Sequence, residues 1–320
     1  MRKKVILCGC GNLGRRYLEG LNQVSIPIQV KVIDISIESL NRAREIIQEK
    51  SGNNLHVFAF LSKYDNLPLS ADLCIQSTNS NCRKDLISKV NENCSVDSWI
   101  LEKLLAQSSE QIQNIENILG TEPSAWVNTP MRCMIWHNLI KEYMSSYLKD
   151  SVHIEISGSH WGLCCNSIHY IDFLSWLIDA KVENICSNGL THWEKSKRPG
   201  FYEAFGELGL TFSDRSTARF RCIPTLDKKP LIIKIFTSRG EWTIYESEGV
   251  ALGPNEERIQ GTLTYQSTMT PELVTGILNN RTCQLPTLHE SAIQHRILLD
   301  SLLESWNILN SKADRVVPIT

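Results

Sequence analysis

A glycine-rich segment directly after the first apolar run constrains the fold of this 320-residue chain more than any other feature. Residues 4–10 predict a buried parallel strand. Gly9, Gly11 and Gly14 then form the pattern G-x-G-x-x-G. A helical pattern follows, and a second predicted strand ends immediately before Asp34. This order of strand, glycines, helix, strand and acid predicts a Rossmann dinucleotide-binding unit.

Each glycine in this motif has a separate physical purpose. Gly9 permits the tight turn off the strand, Gly11 lets a pyrophosphate approach the main chain, and Gly14 lets helix and strand pack closely. The N–H groups and the positive dipole end of the following helix favour phosphate binding. Asp34 can accept both ribose hydroxyls of the adenosine half, which favours NAD(H). The cofactor-binding residues predicted from this motif are Gly9, Gly11, Asn12, Leu13, Gly14 and Asp34.

The same segment leaves three other interpretations open. Ser36, Arg15 and Arg16 lie close in sequence to the glycines and the acid, so NADP(H) is an alternative cofactor. Methyltransferases that bind S-adenosylmethionine also combine a glycine-rich loop with an acid after the second strand. The third interpretation is a glycine turn in an α/β fold without any ligand. A binding measurement that compares NAD(H) with S-adenosylmethionine separates the two ligand-binding interpretations.

Polar segments follow two later predicted strands, at residues 71–76 and 98–101. In open α/β sheets, ligands bind outside the carboxyl ends of the strands. We therefore expect these segments to line the cofactor site. The residues added to the predicted cofactor-binding set are Ser77, Thr78, Asn79, Glu102 and Lys103.

A turn-rich segment at residues 120–124 marks a change in the chain's organisation. We expect residues 1–125 to form the Rossmann NAD(P)-binding domain. Residues 126–320 are then a substrate-binding and oligomerisation domain.

Strand patterns in the second half predict antiparallel pairing. Residues 151–159 alternate apolar and polar side chains, as a half-buried strand does. Residues 207–220 and 231–245 each read as two strands joined by a short turn. The predicted fold class is α/β: an N-terminal Rossmann domain plus a C-terminal α+β domain with a largely antiparallel open sheet.

Charge and cysteine usage exclude several classes of partner. Lys and Arg (33) nearly balance Asp and Glu (35), so no global positive field favours nucleic acid or anionic lipid. The chain lacks an export signal and a membrane-span pattern, and its 11 cysteines are odd in number, so we expect reduced thiols in the cytoplasm. Neither Cys8 with Cys10 nor Cys164 with Cys165 has structural zinc spacing, so we predict no metal site.

One segment of the second half combines residue types that carry chemistry. A helix is predicted there, with Asn166 or Ser167 as its N-cap. His169 and Asp172 stand at positions i and i+3, so they share one face of that helix. By spacing alone, a partly buried histidine beside a helix-surface acid is the favoured interpretation of His169 and Asp172. Trp161 can either stack on a sugar ring or belong to the core.

With the glycine loop, Glu102-Lys103 after the fifth strand and this His–Asp pair, the sequence resembles the Gfo/Idh/MocA oxidoreductases (glucose–fructose oxidoreductase, inositol dehydrogenase and relatives). The resemblance covers nearly the whole chain. Four positions depart from the family's usual pattern. Leu104 replaces the proline of Glu-Lys-Pro, Asn79 and Arg83 stand in the usual Thr-Pro-x-x-x-His, and Cys165 stands where the family has an acid four residues before His169.

The resemblance implies an NAD(P)-dependent oxidoreductase. Hydride passes to or from a secondary alcohol or ketone of a sugar, sugar nucleotide or cyclitol, and surface-glycan precursor synthesis is the favoured context. His169 is then the general base, Lys103 orients the substrate oxygen, and Asp172 holds and tunes His169. The expected substrate contacts are Arg132, Trp161, Asn166 and His169, although a solvated arginine at a helix start fits position 132 equally well.

The resemblance also implies a homodimer or homotetramer that assembles through the C-terminal sheet. A second class of function stays open beside the enzyme. Some proteins of this fold sense NAD(P) or a sugar as regulators without turnover. The four departures from the family's usual pattern are compatible with that alternative.

Overall fold

The computed structural model describes residues 2–49, 55–120, 124–225 and 227–320. Its helices are α1 (Asn12–Leu21), α2 (Ile37–Glu49), α3 (Ser80–Asn93), α4 (Ser109–Leu119), α5 (Ile135–Met144), α6 (Leu163–Leu177), α7 (Gln266–Asn280) and α8 (Leu288–Asn310). Its strands are β1 (Lys3–Cys8), β2 (Ile28–Ile33), β3 (Val57–Leu61), β4 (Ser70–Ala71), β5 (Leu73–Gln76), β6 (Ser95–Val96), β7 (Ser98–Leu101), β8 (Ser124–Val127), β9 (His153–Ser159), β10 (Val182–Lys195), β11 (Tyr202–Phe212), β12 (Thr217–Ile223), β13 (Ile232–Thr237), β14 (Gly240–Tyr245), β15 (Val250–Leu252) and β16 (Arg258–Gln260).

Main-chain contacts divide the chain into two compact units. Unit 1 comprises Met1–Ala106, Glu110–Asn128 and Thr264–Glu290, and unit 2 comprises Gln107–Ser109, Thr129–Leu263 and Ser291–Thr320. The segment 264–290 thus packs within unit 1 although it lies far along the chain. A domain boundary between residues 125 and 126 stays a prediction.

Unit 1 is built on a six-stranded parallel sheet with the order β3-β2-β1-β5-β7-β8. Its central strands β5 and β7 are buried along their whole length, as strands covered by helices on both faces must be. The chain moves outward from β1 to β3 and then returns to the other side of β1, which is the doubly wound order. This arrangement confirms the predicted Rossmann domain.

Helix α7 belongs to unit 1, where it packs on α1. The two helices approach so closely that a β-carbon built on Gly20 would lie 2.5 Å from Cβ of Thr270. A glycine at position 20 is therefore required by packing. The sequence analysis did not assign α7 to this unit, because no local pattern says which sheet a late helix covers.

Unit 2 is built on an eight-stranded sheet with the order β10-β11-β12-β9-β13-β14-β15-β16. All neighbouring strands are antiparallel except β12 and β9, which run parallel. The sheet thus confirms the predicted, largely antiparallel architecture. Strand β9 buries alternate residues, with Ile154 and Ile156 fully buried, as its sequence pattern predicts.

Three local predictions differ from the structure. The strand predicted over residues 4–10 ends at Cys8, because Gly9 has φ of 85° and turns the chain out of the sheet. Strand β10 was not predicted, since its pairing with β11 shifts register at three places and so breaks the alternation of buried side chains. The helix start expected at Arg132 lies at Ile135, where α5 begins, because Pro130–Cys133 forms a separate 3₁₀ turn.

No helix in the described ranges combines the length and the apolar character needed to cross a membrane.

Candidate functional site

The glycine loop of unit 1 has the geometry that its sequence predicts. Gly9 turns the chain, and its N–H donates to the Ile33 carbonyl oxygen at 2.8 Å. A β-carbon built on Gly14 would lie 2.1 Å from the Gly9 carbonyl oxygen, so only glycine fits there. A β-carbon built on Gly11 would meet nothing within 4 Å. The loop is therefore tightly packed at Gly9 and Gly14 and open at Gly11.

Helix α1 begins at Asn12, immediately after this open position. Gly11 is its N-cap and makes no side-chain capping bond to the first turn. The first N–H groups of a helix have no partner within the helix, and they carry the positive end of its dipole. The open side of Gly11 thus adjoins a helix N-terminus, which is the arrangement that binds phosphate groups.

Asp34 stands at the carboxyl end of β2 and is held at the glycine loop by main-chain N–H groups. One carboxylate oxygen accepts the Cys10 N–H at 2.8 Å, and the other accepts the Ser36 N–H at 2.8 Å. A carboxylate can accept roughly four hydrogen bonds, so each Asp34 oxygen keeps acceptor capacity. Burial of the Cys10 thiol and the nearby charge of Asp34 raise the pKa of this thiol to about 12, so Cys10 stays neutral.

The two arginines after the glycines have local partners. Arg15 donates to Asn12 Oδ1 at 2.6 Å and to the Cys10 carbonyl oxygen at 3.3 Å. Arg16 forms an ion pair with Glu19 at 3.1 Å. Ser36 Oγ accepts the Ser39 N–H at 3.1 Å, one turn into α2.

The polar turn after β5 contacts the glycine loop directly. Ser77 Oγ donates to the carbonyl oxygens of Cys8 and Gly9 at 2.9 and 2.7 Å. Thr78 follows, and its Cγ2 lies 3.0 Å from a β-carbon built on Gly9. The Thr78 hydroxyl is buried and has no hydrogen-bond partner in the described protein. Asn79 is the N-cap residue of α3. The structure therefore brings Ser77 and Thr78 to the predicted cofactor loop.

Glu102 is a buried carboxyl group, with 3% of its surface exposed. Its Oε1 accepts the Tyr17 hydroxyl at 2.5 Å and the Asn128 side-chain amide at 2.6 Å. Burial raises the pKa of Glu102, while the bonds from Tyr17 and Asn128 and the charge of Arg83 oppose that rise. Glu102 thus joins α1, the end of β7 and the end of β8. It precedes Lys103, the predicted catalytic lysine.

Arg83 is the residue of this edge that the sequence analysis noted only as a departure. Its side chain is 1% exposed, and its guanidinium donates to the main-chain carbonyls of Thr78 and Leu104. Burial lowers the pKa of Arg83 to about 10, against the opposing charge of Glu102. A buried arginine in the second turn of α3 has no local sequence signature, so only the packing identifies it.

Helix α6 of unit 2 carries the predicted histidine and acid. His169 is half-buried and Asp172 is completely buried. Both carboxylate oxygens of Asp172 accept from Arg132, with Nε to Oδ2 at 3.1 Å and Nη2 to Oδ1 as the second bond. Arg132 belongs to the 3₁₀ turn before α5 and is 14% exposed. The structure thus brings Arg132 to α6, in a bidentate pair with the acid that follows His169 by three residues.

The start of α6 lies earlier than the sequence predicts. The helix begins at Leu163, and Gly162 precedes it in the left-handed conformation with φ of 76°. Asn166 is therefore inside the helix and is not its N-cap, and its side-chain amide donates to the Trp161 carbonyl oxygen at 2.6 Å. Glu203 of β11 supplies the bond at this helix end, accepting the Cys164 N–H at 2.9 Å.

Trp161 lies beside α6 and is only half-buried. Its indole N–H donates to the Arg221 carbonyl oxygen at 2.9 Å, and its ring meets the Tyr170 ring edge-on at 5.6 Å between centroids. These contacts set the ring orientation while part of its surface stays accessible.

A second buried cluster supports the turn that carries Arg132. Tyr170 of α6 donates to Glu246 at 2.6 Å, and His137 Nε2 lies 3.5 Å from the same carboxylate. His137 Nδ1 bonds to the Met131 carbonyl oxygen at 2.9 Å, one residue before Arg132. The sequence analysis did not find this cluster, because its members are far apart in the chain.

No group of three or more His, Cys, Asp and Glu side chains in the part of the chain that the structure covers could hold a metal ion.

The parallel sheet with its glycine loop and the largely antiparallel sheet form a fold that solved dehydrogenase structures share. The structure is similar to scyllo-inositol dehydrogenase from Lactobacillus casei with bound NAD(H) and scyllo-inositol, at a TM-score of 0.67 and 15% identity, over 95% of this chain and 97% of that one. It is similar to UDP-N-acetylglucosamine 3-dehydrogenase GnnA from Acidithiobacillus ferrooxidans, at 0.68 and 12%, over 95% and 96%.

A third similar structure is named as a repressor and not as a dehydrogenase. The super-repressor mutant of Gal80p from Saccharomyces cerevisiae matches at a TM-score of 0.69 and 15% identity, over 97% of each chain. No protein-family model matches the sequence, and no curated protein sequence matches it. At these identities the comparisons establish the fold.

Proposed function

We propose that this protein is an NAD(H)-dependent oxidoreductase that acts on a secondary alcohol or ketone. The observation that carries the proposal is the glycine loop, which is open at Gly11, adjoins the N-terminus of α1 and holds the Asp34 carboxylate on main-chain N–H groups. These are the two recognition elements of a dinucleotide, one for its pyrophosphate and one for its adenosine ribose.

The residues of unit 1 fit NAD(H). The N–H groups of Asn12 and Leu13 meet the pyrophosphate, and Asp34 accepts the ribose hydroxyls through its remaining acceptor sites. The buried Thr78 hydroxyl, which lacks a protein partner, supplies a further polar contact next to Gly9. The similar inositol dehydrogenase was solved with NAD(H), which supports the same cofactor here.

NAD(H) rather than NADP(H) is the proposed cofactor for an electrostatic reason. A 2′-phosphate would bring negative charge next to the Asp34 carboxylate. Because the two groups have the same sign of charge, they would repel each other. Arg15 and Arg16, the cations that could offset this repulsion, bond to Asn12 and Glu19 instead.

The proposed chemistry uses one histidine and one lysine. When bound, the nicotinamide supplies the hydride acceptor or donor. His169 takes the proton from the substrate hydroxyl as general base. Lys103 orients the same oxygen and stabilises its developing negative charge. Asp172, which Arg132 fixes in place, lies one helical turn from His169 on α6 and is assigned to holding and tuning that histidine.

The proposed substrate class is a sugar, sugar nucleotide or cyclitol. The half-buried Trp161 ring offers an apolar face for a sugar ring, and Asn166 and His169 offer polar groups on the same helix start. Two similar structures are dehydrogenases of an inositol and of a UDP-linked amino sugar. Within this class, we favour a sugar derivative used in surface-glycan precursor synthesis.

The proposed assembly is a homo-oligomer that forms through the sheet of unit 2. One face of this sheet presents charged side chains in linked pairs, with Glu207 bonded to Arg219 and Arg221 at 2.9 Å each. Light scattering after size-exclusion chromatography should give two or four times the 36.3 kDa chain mass. A monomer at micromolar concentration would contradict this assembly. The cytoplasm is the proposed compartment, in keeping with the free thiols of the 11 cysteines.

The cofactor is tested by a matched pair of glycine variants. Gly11→Ala places a methyl group in the open space of the loop, so NADH affinity should fall by about tenfold or more while thermal unfolding is unchanged. Gly14→Ala forces its methyl group against Gly9, so it should lower the unfolding free energy by about 1–3 kcal/mol. Tryptophan fluorescence with titrated NADH, and S-adenosylmethionine as the control ligand, measures the first effect. No NADH binding by the wild type would overturn the proposal.

The catalytic roles are tested by two alanine variants. His169→Ala and Lys103→Ala should each lower kcat by about 10²–10⁴-fold on an active substrate from a panel of sugars and cyclitols. The NADH affinity of each variant should stay within about threefold of the wild-type value, since neither residue belongs to the glycine loop. Activity that survives both substitutions would show that the roles are wrongly assigned.

A regulatory function is the second candidate, and the similarity to Gal80p is the observation that favours it. Such a protein would bind NADH but turn over no substrate in the panel. NADH binding with the Gly11 dependence described above, together with the absence of any turnover, would select this candidate over the enzyme.

A further inference from the structure

Arg83 occupies the centre of the carboxyl edge of the parallel sheet. It is the fourth residue of α3, whose side chains incline towards the helix N-terminus and hence towards this edge. It is among the largest fully buried side chains of the protein, with 1% of its surface exposed. A cation in such a place is unusual, because arginine is almost never fully buried unless it is paired.

The guanidinium of Arg83 bonds to the main chain rather than to a carboxylate. Its Nη1 donates to the Leu104 carbonyl and its Nη2 to the Thr78 carbonyl. Its Nε is buried and has no acceptor among the described residues. The planar fork thus connects the loop after β5 with the loop after β7, and the rigid geometry of the fork fixes the spacing between them.

These two carbonyls lie next to residues of the proposed site. Leu104 directly follows Lys103, so the bond to its carbonyl anchors the main chain one peptide beyond the lysine. Thr78 directly follows Ser77, whose hydroxyl bonds to the Gly9 carbonyl at 2.7 Å. Arg83, together with the Ser77 hydroxyl, therefore links the lysine turn to the glycine loop through side-chain bonds to main-chain carbonyls.

A purely structural filler would not need a charge at this position. Burying a charged group costs folding free energy that an apolar side chain of similar volume does not cost, so stability alone does not explain an arginine. Glu102, the nearest countercharge, is itself committed to Tyr17 and Asn128. What the guanidinium adds is two directed bonds that an apolar residue cannot make.

We propose that Arg83 is a positioning residue that fixes the Lys103 turn against the Thr78 turn and thereby sets where the Lys103 ammonium group stands. This inference rests on the proposed function, since Lys103 is assigned there to the substrate oxygen. It predicts that Arg83 affects turnover only through Lys103.

The test uses two substitutions and a matched control. Arg83→Met removes the charge and both bonds, and Arg83→Lys keeps a charge but loses the fork. Arg42→Met is the control, since Arg42 is an exposed arginine of unit 1 whose ion pair among the described residues is with Glu38 on its own helix. Each Arg83 variant should lower kcat by about tenfold or more with NADH affinity within about threefold, and Arg42→Met should change neither.

A double-mutant cycle separates positioning from general destabilisation. In a Lys103→Ala background, either Arg83 substitution should lower kcat by less than about twofold, because the lysine through which Arg83 acts is gone. An equal loss of kcat in both backgrounds would overturn the proposal. Should Arg83→Met fail to fold, Arg83→Lys decides the cycle by itself.

A readout without catalysis keeps this test independent of the proposed function. Reductive ¹³C-methylation of the lysines gives NMR signals, and Lys103→Arg identifies the Lys103 signal by its loss. That signal should move in Arg83→Met, which adds no lysine, and stay in place in Arg42→Met. An unmoved signal in Arg83→Met would refute the Arg83–Lys103 link. If the wild type bound no NADH while the signal moved, the enzyme proposal would fail and the structural link would stand.

Discussion

Unit 1 buries the Glu102 carboxyl group and unit 2 buries the Asp172 carboxylate, and the two acids are stabilised in different ways. Glu102 of unit 1 is 3% exposed and accepts from two neutral donors, Tyr17 and Asn128. Asp172 of unit 2 is fully buried and accepts a bidentate pair of bonds from Arg132. The two acids are similar in burial and differ in the charge of their partners.

The charge of its partners determines which role each acid can have. Neutral donors leave the desolvation of Glu102 only partly offset, which raises its pKa and suits a group that holds a turn together. A bidentate arginine balances the charge of Asp172 and also fixes its geometry. Asp172 is thus a rigid neighbour of His169 on α6, whereas Glu102 accepts its hydrogen bonds from the neutral side chains of Tyr17 and Asn128.

The largest effect should come from breaking the charged pair. Arg132→Met leaves the Asp172 carboxylate buried without its cation, so the unfolding free energy should fall by about 3–5 kcal/mol at neutral pH. Denaturant unfolding measures the loss. The matched control is Arg221→Met, which breaks an exposed pair with Glu207 and should cost less than about 1 kcal/mol. Equal losses in the two variants would mean that the Arg132 pair is no stronger than a surface pair.

A smaller effect should come from removing one neutral donor. Tyr17→Phe deletes the hydroxyl that bonds to Glu102 and leaves the Asn128 bond, so the unfolding free energy should fall by about 1.5–3 kcal/mol. Tyr143→Phe is the control, because Tyr143 is exposed on α5. A loss as large as that of Arg132→Met would erase the contrast between the two acids.

The smallest effect is a change in pH dependence. The pKa of Glu102 is raised in the folded state, so the unfolded chain ionises first as the pH rises, and Glu102 progressively destabilises the fold from about pH 4.5 upwards. Glu102→Gln keeps the acceptor for Tyr17 and removes this titration. The unfolding free energy of the variant minus that of the wild type should therefore increase between pH 4.5 and neutral pH.

Thermal unfolding across this pH range checks the sign. A difference that decreases with pH would mean that the charge of Arg83 outweighs the burial of Glu102. In that case the acid of unit 1 would be a charged pair like that of unit 2, and the comparison would fail.

Local patterns in the sequence predicted the parts of the fold that a few neighbouring residues control. Gly9 and Gly14 permit only one kind of loop, since one needs a positive φ and the other has no room for a β-carbon. The alternation in β9 assigned its buried face for the same local reason. Pattern reasoning failed at β10, where three register shifts break the alternation, and at the start of α6, where Gly162 begins the helix earlier than a side-chain cap would.

By itself, the sequence determined the Rossmann unit, the antiparallel sheet and the candidate residues on their strand ends and helix, because main-chain geometry and side-chain periodicity act over a few residues. Only the tertiary structure decided which groups meet. Arg132 reaches Asp172 across 40 positions, and Tyr17 reaches Glu102 across 85. Arg83 gains its role from two carbonyls on different loops. The packing of the helices on the sheets brings such partners together, and this packing depends on the whole chain.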